Sequence, residues 1–180
     1  MGSVFRWLWW IGVAAALWWA WPHIYPAIDR MIYASRLAAM PAPASLPVPV
    51  SGVSVRALRD TWYAARSGGR KHEGIDIFAP RGREVVSSTE GIVSRVGTNN
   101  LGGKVVWVMG PGRQMHYYAH LDGYADISAG DRVTPGTVLG FVGNTGNARG
   151  TPPHLHYGIY TASGAINPYP LLTAPIATSK

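Results

Sequence analysis

The sequence predicts an all-β domain preceded by an N-terminal transmembrane helix. Two observations carry this prediction: residues 7–28 contain no formal charge, and residues from about 53 onward form short β-rich runs between Gly, Pro and Asn. After a candidate short helix over residues 55–63, no long stretch keeps a helical apolar period. The 22 glycines and 14 prolines of the chain fit the tight turns of a compact sandwich or barrel-like sheet.

The composition excludes several classes of protein. A chain of 180 residues has room for one domain and an appendage, and its lack of cysteine excludes disulfides, thiolate catalysis and a cysteine-linked lipid anchor. The net charge is +7, but the basic residues are scattered singly rather than grouped in blocks, so no nucleic-acid partner is expected. A cationic surface of this kind suits a polyanion such as a cell wall.

The uncharged segment over residues 7–28 would span about 33 Å as a helix, which matches the hydrocarbon core of a bilayer. A cleaved signal peptide is the alternative, but the bulky sequence WWAWPHIYP stands where a small-residue cleavage site would be expected. Arg6 and the free amine flank one end of the segment, whereas Asp29 and Arg30 cancel at the other, so residues 1–6 are expected in the cytoplasm. Tryptophans near both ends resemble the aromatic belts of membrane helices: Trp7, Trp9, Trp10, Trp18, Trp19 and Trp21.

The segment after the predicted span indicates a stalk. Residues 27–40 could continue the helix, but PAPASLPVPV over residues 41–50 has four prolines and is interpreted as an extended linker of about 30 Å. Residues 29–50 are thus predicted to be an extracytoplasmic stalk. The β domain is predicted over residues 51–172, followed by a tail over residues 173–180.

Five strands and one hairpin turn are predicted within the β domain. The turn is GPGR at residues 110–113, between two β-rich runs. The candidate strands cover residues 91–96, 104–109, 114–119, 138–142 and 155–160.

Histidines and an aspartate recur at even spacing on two β-rich runs. In PPHLHYGIY, the alternation of a strand places His154 and His156 on one face, with Leu155 and Tyr157 on the other. In KHEGIDIF, the same alternation places His72, Gly74 and Asp76 on one face. The glycine leaves space above the backbone, which a bound metal would occupy.

Imidazole and carboxylate groups are suitable zinc ligands, and a catalytic zinc usually has three protein ligands and one open position. Two histidines and an aspartate from these runs meet that count. In MHYYAHL, alternation would put His116, Tyr118 and His120 on one face, where they could surround a metal without binding it. Each motif alone is more often a solvent-facing strand or core packing, and the combination is what indicates a metal site.

Four motifs in order resemble the lysostaphin/LytM-type zinc metallopeptidases, which cut peptidoglycan peptides. They are HEGID (72–76), YAHL (118–121), GDRVTPGTVLGFVGNTG (130–146) and HLHYGI (154–159), followed by NP at 167–168. The resemblance implies a mostly antiparallel β fold with an open groove and one zinc ion per chain. It also implies His72, Asp76 and His156 as metal ligands, His120 and His154 as the catalytic pair, and Tyr118 as a supporting donor.

The reaction implied by this resemblance is hydrolysis of peptide bonds in stem peptides or cross-links by a zinc-activated water. Zinc lowers the pKa of bound water from 15.7 to about 7, so no serine or cysteine nucleophile is required. Of His120 and His154, one would accept the water proton and the other would donate to the oxyanion; the sequence leaves the assignment open. The expected location is a bacterial cytoplasmic membrane, crossed once, with the catalytic domain on the periplasmic side and peptidoglycan, the membrane and other cell-wall enzymes as partners.

Two positions depart from the family pattern. Tyr63 stands where the family has a glycine before an arginine, so the resemblance does not extend to the loop that covers the cleft. Arg83 and Glu84 replace a small residue and a proline, which indicates a solvent-exposed strand entry.

Two other functions are compatible with parts of this pattern. A non-catalytic domain of the same fold could activate a separate cell-wall amidase, but such a domain is expected to lose metal ligands. A lipoyl- or biotinyl-type carrier domain would need a modifiable lysine at a hairpin tip, and neither Lys71 nor Lys104 lies in such a turn.

Overall fold

The computed structural model describes residues 2–175, with side chains described from Arg6 onward. Over these residues the chain forms one long helix, nine strands and a short C-terminal helix. They are α1 (Gly2–Ala39), β1 (Ile75–Phe78), β2 (Glu84–Val86), β3 (Gly91–Asn99), β4 (Gly103–Met109), β5 (Met115–Tyr124), β6 (Arg132–Val133), β7 (Val138–Val142), β8 (His154–Thr161), β9 (Gly164–Ile166) and α2 (Tyr169–Thr173). Most of the predicted tail over residues 173–180 lies outside the described residues.

The N-terminal helix α1 continues past Pro22 and Pro26 to Ala39, as predicted for residues 27–40, and exposes its tryptophans. Among the residues that the structure describes, no helix is both long and apolar enough to cross a membrane, so the predicted span over residues 7–28 is not found. That prediction relied on the lack of charge, but tryptophan, tyrosine, histidine and proline lower the mean hydropathy of an uncharged segment. A unit boundary falls after Arg36, and the rest of the chain forms a second unit.

The proline-rich segment over residues 41–50 is extended, as predicted, but it is not a free linker. Leu46 and Val50 are 2% and 1% exposed and belong to the hydrophobic core of the β domain. The Leu46 N–H donates to the Leu171 carbonyl at 2.8 Å, and Val50 forms an isolated antiparallel bridge with Val85. The prolines fix the extended backbone, while the apolar residues between them cover the core. The β domain therefore begins before residue 51, where the sequence had placed its start.

The strands form one antiparallel sheet in the order β1-β8-β5-β4-β3-β6, with β7 pairing to β2 and β5, and β9 pairing to β8. The prediction of a mostly antiparallel β domain is confirmed. All five predicted strands are present, and β7 matches its predicted bounds. The helix predicted over residues 55–63 is reduced to one turn at Val55–Ala57. Strands β2, β6 and β9 are two or three residues long, too short to give an alternating pattern.

Alternate side chains of β8 lie on the two faces of the sheet, one in the core and the other in a groove. Leu155, Tyr157 and Ile159 are fully buried in the core, as alternation predicts for the first two. His154 and His156 project from the other face into an open groove. This arrangement confirms the predicted alternation and places polar side chains directly behind the apolar core.

Candidate metal centre and its groove

The open groove has a volume of about 1180 Å³ and runs across the face of β1, β8 and β5 that is opposite the core. Strand pairing sets the positions of its central side chains. Asp76 on β1 lies opposite His156 on β8, and Ala119 on β5 lies opposite the same histidine. Residues that are 80 positions apart in sequence therefore meet through the register of neighbouring strands.

Gly74 leaves the space above the backbone that the sequence predicted, but the side chain of His156 occupies this space. A Cβ at residue 74 would lie 2.7 Å from His156 Cε1 and 2.5 Å from the Tyr157 carbonyl oxygen. These distances are too short for any other residue. The glycine thus allows the His156 ring to pack against the β1 backbone beside Asp76.

His72, Asp76 and His156 converge into one cluster, as the resemblance predicted. One potential ligand atom from each residue lies within 4.8 Å of the others. His72 Nε2 is 3.0 Å from Asp76 Oδ1 and 2.8 Å from His156 Nδ1, and His156 Nδ1 is 3.3 Å from the same carboxylate oxygen. Two nitrogens and one oxygen at this spacing form a donor set that suits zinc.

Three of the histidines in the groove are held by backbone carbonyls. The Nδ1 atoms of His72, His120 and His154 lie 2.7, 2.9 and 2.8 Å from the carbonyl oxygens of Thr61, Thr145 and Pro152. Because a carbonyl oxygen only accepts, each Nδ1 carries the proton and donates it. Each Nε2 then presents a lone pair toward the groove.

Burial and neighbouring charges shift the pKa values of these groups. Burial alone would raise the pKa of Asp76, but hydrogen bonds with His156 and His72 outweigh it and hold this pKa well below its usual value. Burial, together with repulsion from His156 and His154, lowers the pKa of His120 to about 4. Burial likewise lowers the pKa of His156. The Asp76 carboxylate is therefore charged, and the His120 and His156 rings are neutral, near pH 7.

The predicted common face for His116, Tyr118 and His120 is wrong. His116 and Tyr118 face the core and are completely buried, and the Tyr118 hydroxyl accepts the Ser88 N–H at 3.1 Å. His120 has a φ of 64°, which breaks the strand alternation and turns its side chain into the groove. Tyr118 therefore does not line the groove, and Tyr117 is the tyrosine of β5 that does.

The His120 and His154 rings lie side by side next to the three candidate ligands. Their centroids are 5.1 Å apart, and His120 is 5.8 Å from the ring of His156. His154 Nε2 lies 3.9 Å from Asp76 Oδ1. Two further imidazoles thus stand beside the three candidate ligands without belonging to their cluster.

Two residues that support the cluster were not predicted. Thr61 accepts the His72 Nδ1–H through its carbonyl, and its Oγ1 accepts the Asp76 N–H at 3.0 Å. The Arg66 guanidinium forms an ion pair with Asp76 Oδ2, the carboxylate oxygen that faces away from His72 and His156. Both residues lie in an irregular segment before β1, where no periodic pattern reveals which side chains face the groove.

Residues 63–72 form a hairpin at the rim of the groove, which we call the cationic hairpin because it carries Arg66, Arg70 and Lys71. The Tyr63 N–H donates to the His72 carbonyl at 2.9 Å, and the His72 N–H donates to the Ala64 carbonyl at 3.0 Å. Tyr63 adopts a φ of 61°, the conformation that the family's glycine at this position would favour. The departure from the family pattern therefore changes the side chain at the rim, while the hairpin still forms.

The sequence pattern of Peptidase family M23 matches residues 70–168, which is more than half of the chain. This chain belongs to family M23. The matched residues contain all three candidate ligands of the metal centre and both of the other histidines of the groove. Among solved structures, the catalytic domain of lysostaphin from Staphylococcus simulans aligns with 67% of this M23 chain at a TM-score of 0.59 and 28% identity, and 96% of that domain is covered.

Other relatives of this M23 chain are larger proteins. An L-Ala–D-Glu endopeptidase of Bacillus subtilis is 44% identical over 128 residues, which is 64% of this chain and 39% of that protein. A DD-carboxypeptidase/endopeptidase, Mpg, of Neisseria meningitidis is 36% identical over 99 residues, 55% of this chain and 22% of that protein. Helicobacter pylori Csd3 aligns at a TM-score of 0.61 and 29% identity, over 80% of this chain and 39% of that one. The chain thus spans less than half the length of the curated relatives named here.

Proposed function

We propose that this protein is a zinc-dependent endopeptidase that hydrolyses peptide bonds in peptidoglycan. The observation that carries the proposal is the cluster of His72, Asp76 and His156 with two further histidines, His120 and His154, directed at the same point. Relatives in family M23 with endopeptidase names support the reaction class. Since peptidoglycan lies outside the cytoplasmic membrane, the proposed site of action is extracytoplasmic.

The donor set fits zinc. His72 Nε2, His156 Nδ1 and one Asp76 oxygen would be the three protein ligands of a single ion per chain, which leaves a coordination position for water. A bound zinc ion supplies acidification of that water and polarisation of the scissile carbonyl. Arg66 holds the other oxygen of Asp76, so the carboxylate would present one fixed oxygen to the metal.

His120 and His154 would move the protons. Each donates its Nδ1–H to a backbone carbonyl, so Nε2 is the atom available to the substrate side. Burial lowers the pKa of His120 to about 4, so its ring is neutral near pH 7 and its Nε2 lone pair is available to accept a proton. The neighbouring imidazole at 5.1 Å would orient the scissile carbonyl oxygen or the leaving amine. The two histidines thus present two proton acceptors on the same side of the groove, and a ring becomes a donor at Nε2 once it has taken up a proton.

An activator of a separate amidase is the second function that the fold allows. That role needs no metal and no acid–base pair, whereas this chain retains every candidate ligand and both groove histidines. Direct hydrolysis is therefore the better supported function.

The experiment measures zinc content and the release of new amine termini from purified sacculi by the full chain. We expect about one zinc per chain, cleavage that stops on chelation, and recovery when zinc is added back. Release of no amine termini by zinc-loaded protein from several different peptidoglycans, together with stimulation of an added amidase, would contradict the proposal in favour of the activator.

A further inference from the structure

The cationic hairpin faces the groove with an excess of positive charge. Three of its basic residues, Arg66, Arg70 and Lys71, line the groove, while the acidic residues that line it are Glu73 and Asp76. Arg66 is already paired with Asp76. The hairpin therefore already binds one carboxylate through Arg66. Its two other cations are Arg70 and Lys71.

Arg70 and Lys71 have no acidic partner among residues 2–175. The guanidinium of Arg70 contacts only its own hairpin, through Nε to the Ser67 carbonyl at 3.3 Å and Nη2 to Ser67 Oγ at 3.5 Å. No ion pair joins Lys71 to any described carboxylate. Hydrogen bonds of this length are weak, so Arg70 can exchange both of them for hydrogen bonds to a charged ligand at little cost in free energy.

Part of the groove lining is aromatic. Trp107 packs against Tyr117 with ring centroids 4.3 Å apart and against Tyr160 at 5.4 Å. Tyr117 also lies 5.8 Å from the His156 ring, so this aromatic cluster reaches the metal centre. A peptide in the groove would thus meet both this aromatic cluster and the cationic hairpin, with its scissile bond at the histidines.

We propose that Arg70 and Lys71 form a carboxylate-binding subsite, and that the enzyme prefers stem peptides with free carboxylates beside the scissile bond to neutral peptides such as glycine bridges. This inference rests on the proposed peptidoglycan endopeptidase function and names its substrate class. A neutral chain would leave two cations at the rim without a partner. A stem peptide with free carboxylates satisfies them with charge-assisted hydrogen bonds, which are about twice as strong as neutral ones.

The test compares two stem peptides that differ only in charge: one with its carboxylates free and one with them converted to carboxamides. Both are given to the zinc-loaded full chain, as soluble peptides and within intact sacculi. Carboxylate and carboxamide have nearly the same shape, so the comparison isolates the charge. We expect kcat/KM for the free acid to exceed that for the amide by about tenfold or more, with the ratio falling at high salt.

Single-residue variants test whether Arg70 and Lys71 cause the preference for the free acid. In Arg70→Gln and Lys71→Gln, the acid-to-amide ratio should fall toward one, mainly through a higher KM for the acid, while zinc content stays at one per chain. Arg83→Gln is the matched control, because it removes the same charge from a surface that does not line the groove. Its ratio should equal that of the wild type.

The outcomes separate the subsite from the function. Equal cleavage of acid and amide would overturn the subsite and leave the endopeptidase in place. The subsite is also overturned if the Arg83→Gln control lowers the ratio as much as Arg70→Gln does, since the preference would then reflect overall charge. No cleavage of either stem peptide, with cleavage of glycine-bridged peptidoglycan, would overturn the subsite alone. No cleavage of several different peptidoglycans, together with stimulation of an added amidase, would contradict the endopeptidase function.

Discussion

Histidines lie on both the groove face and the core face of the central sheet, but their environments differ. His116 and His120 lie on one strand, four residues apart. His116 is fully buried against the core, where Nδ1 is 2.7 Å from the Tyr157 hydroxyl and Nε2 has no partner among the described residues. His120 opens into the groove because its φ of 64° reverses the alternation. Backbone conformation, and not residue type or spacing alone, thus decides which histidine can take part in chemistry.

The largest expected effect is on the groove face. Asp76→Ala, His72→Ala or His156→Ala leaves two candidate ligands, so we expect substoichiometric zinc and a fall in hydrolysis of at least about 1000-fold. Metal analysis and sacculus digestion measure the two quantities. Full zinc occupancy in the Asp76→Ala protein would refute the ligand assignment.

The second prediction concerns the histidines that stand beside the ligands. His120→Ala and His154→Ala should keep most of the zinc yet lower kcat by about 100- to 10,000-fold, since each removes a proton-transfer group. His116→Gln, four residues before His120 on the same strand, is the matched control and should retain hydrolysis. If His120→Ala lost zinc as fully as Asp76→Ala does, the division between ligands and acid–base residues would be wrong.

Sequence reasoning predicted the groove face well wherever strands alternate regularly. His154 and His156 follow the two-residue period of β8, and the strand register places His156 opposite Asp76. His72 lies before β1, and the hairpin hydrogen bonds at its backbone, rather than strand alternation, bring it to the cluster. The period fails at His120, where a left-handed residue interrupts β5, so Tyr118 was assigned to the wrong face. Arg66 and Thr61 lie in irregular backbone, where side-chain direction depends on tertiary contacts that no local pattern encodes.

The sequence did not predict how far the hydrophobic core extends toward the N-terminus of the β domain. The prolines of residues 41–50 correctly predicted extended structure, but they gave no indication that Leu46 and Val50 complete the core. We expect Leu46→Ala to lower the free energy of unfolding by about 2–5 kcal/mol, because it removes a buried side chain and leaves a cavity. Denaturant unfolding measures this, with exposed Val55→Ala as the control within about 0.5 kcal/mol of the wild type. A Leu46→Ala protein as stable as that control would restore the interpretation of a free linker.

The core histidine should also make stability depend on pH. Burial lowers the pKa of His116 from 6.5 to about 4, so between these values the unfolded chain binds a proton that the folded one does not. The contribution is fully present above pH 6.5 and is lost as the pH falls through 4, by about 3 kcal/mol in total. His116→Gln should therefore lose less stability than the wild type between pH 7 and 4 in denaturant unfolding. Parallel pH profiles would contradict the burial of a neutral imidazole.

The smallest expected effect lies at the groove rim, where Tyr63 combines a φ of 61° with a half-exposed ring. Glycine adopts this conformation without strain, whereas alanine, like tyrosine, must accept it. Tyr63→Gly and Tyr63→Ala both remove the ring, so their difference isolates the backbone. We expect the glycine variant to be more stable than the alanine variant by about 1 kcal/mol in denaturant unfolding. In an ordinary extended conformation the order would be reversed, because glycine is the more flexible residue in the unfolded chain. An alanine variant that is the more stable of the two would therefore show that residue 63 is not held in the left-handed conformation, and that the cationic hairpin meets the groove in another way.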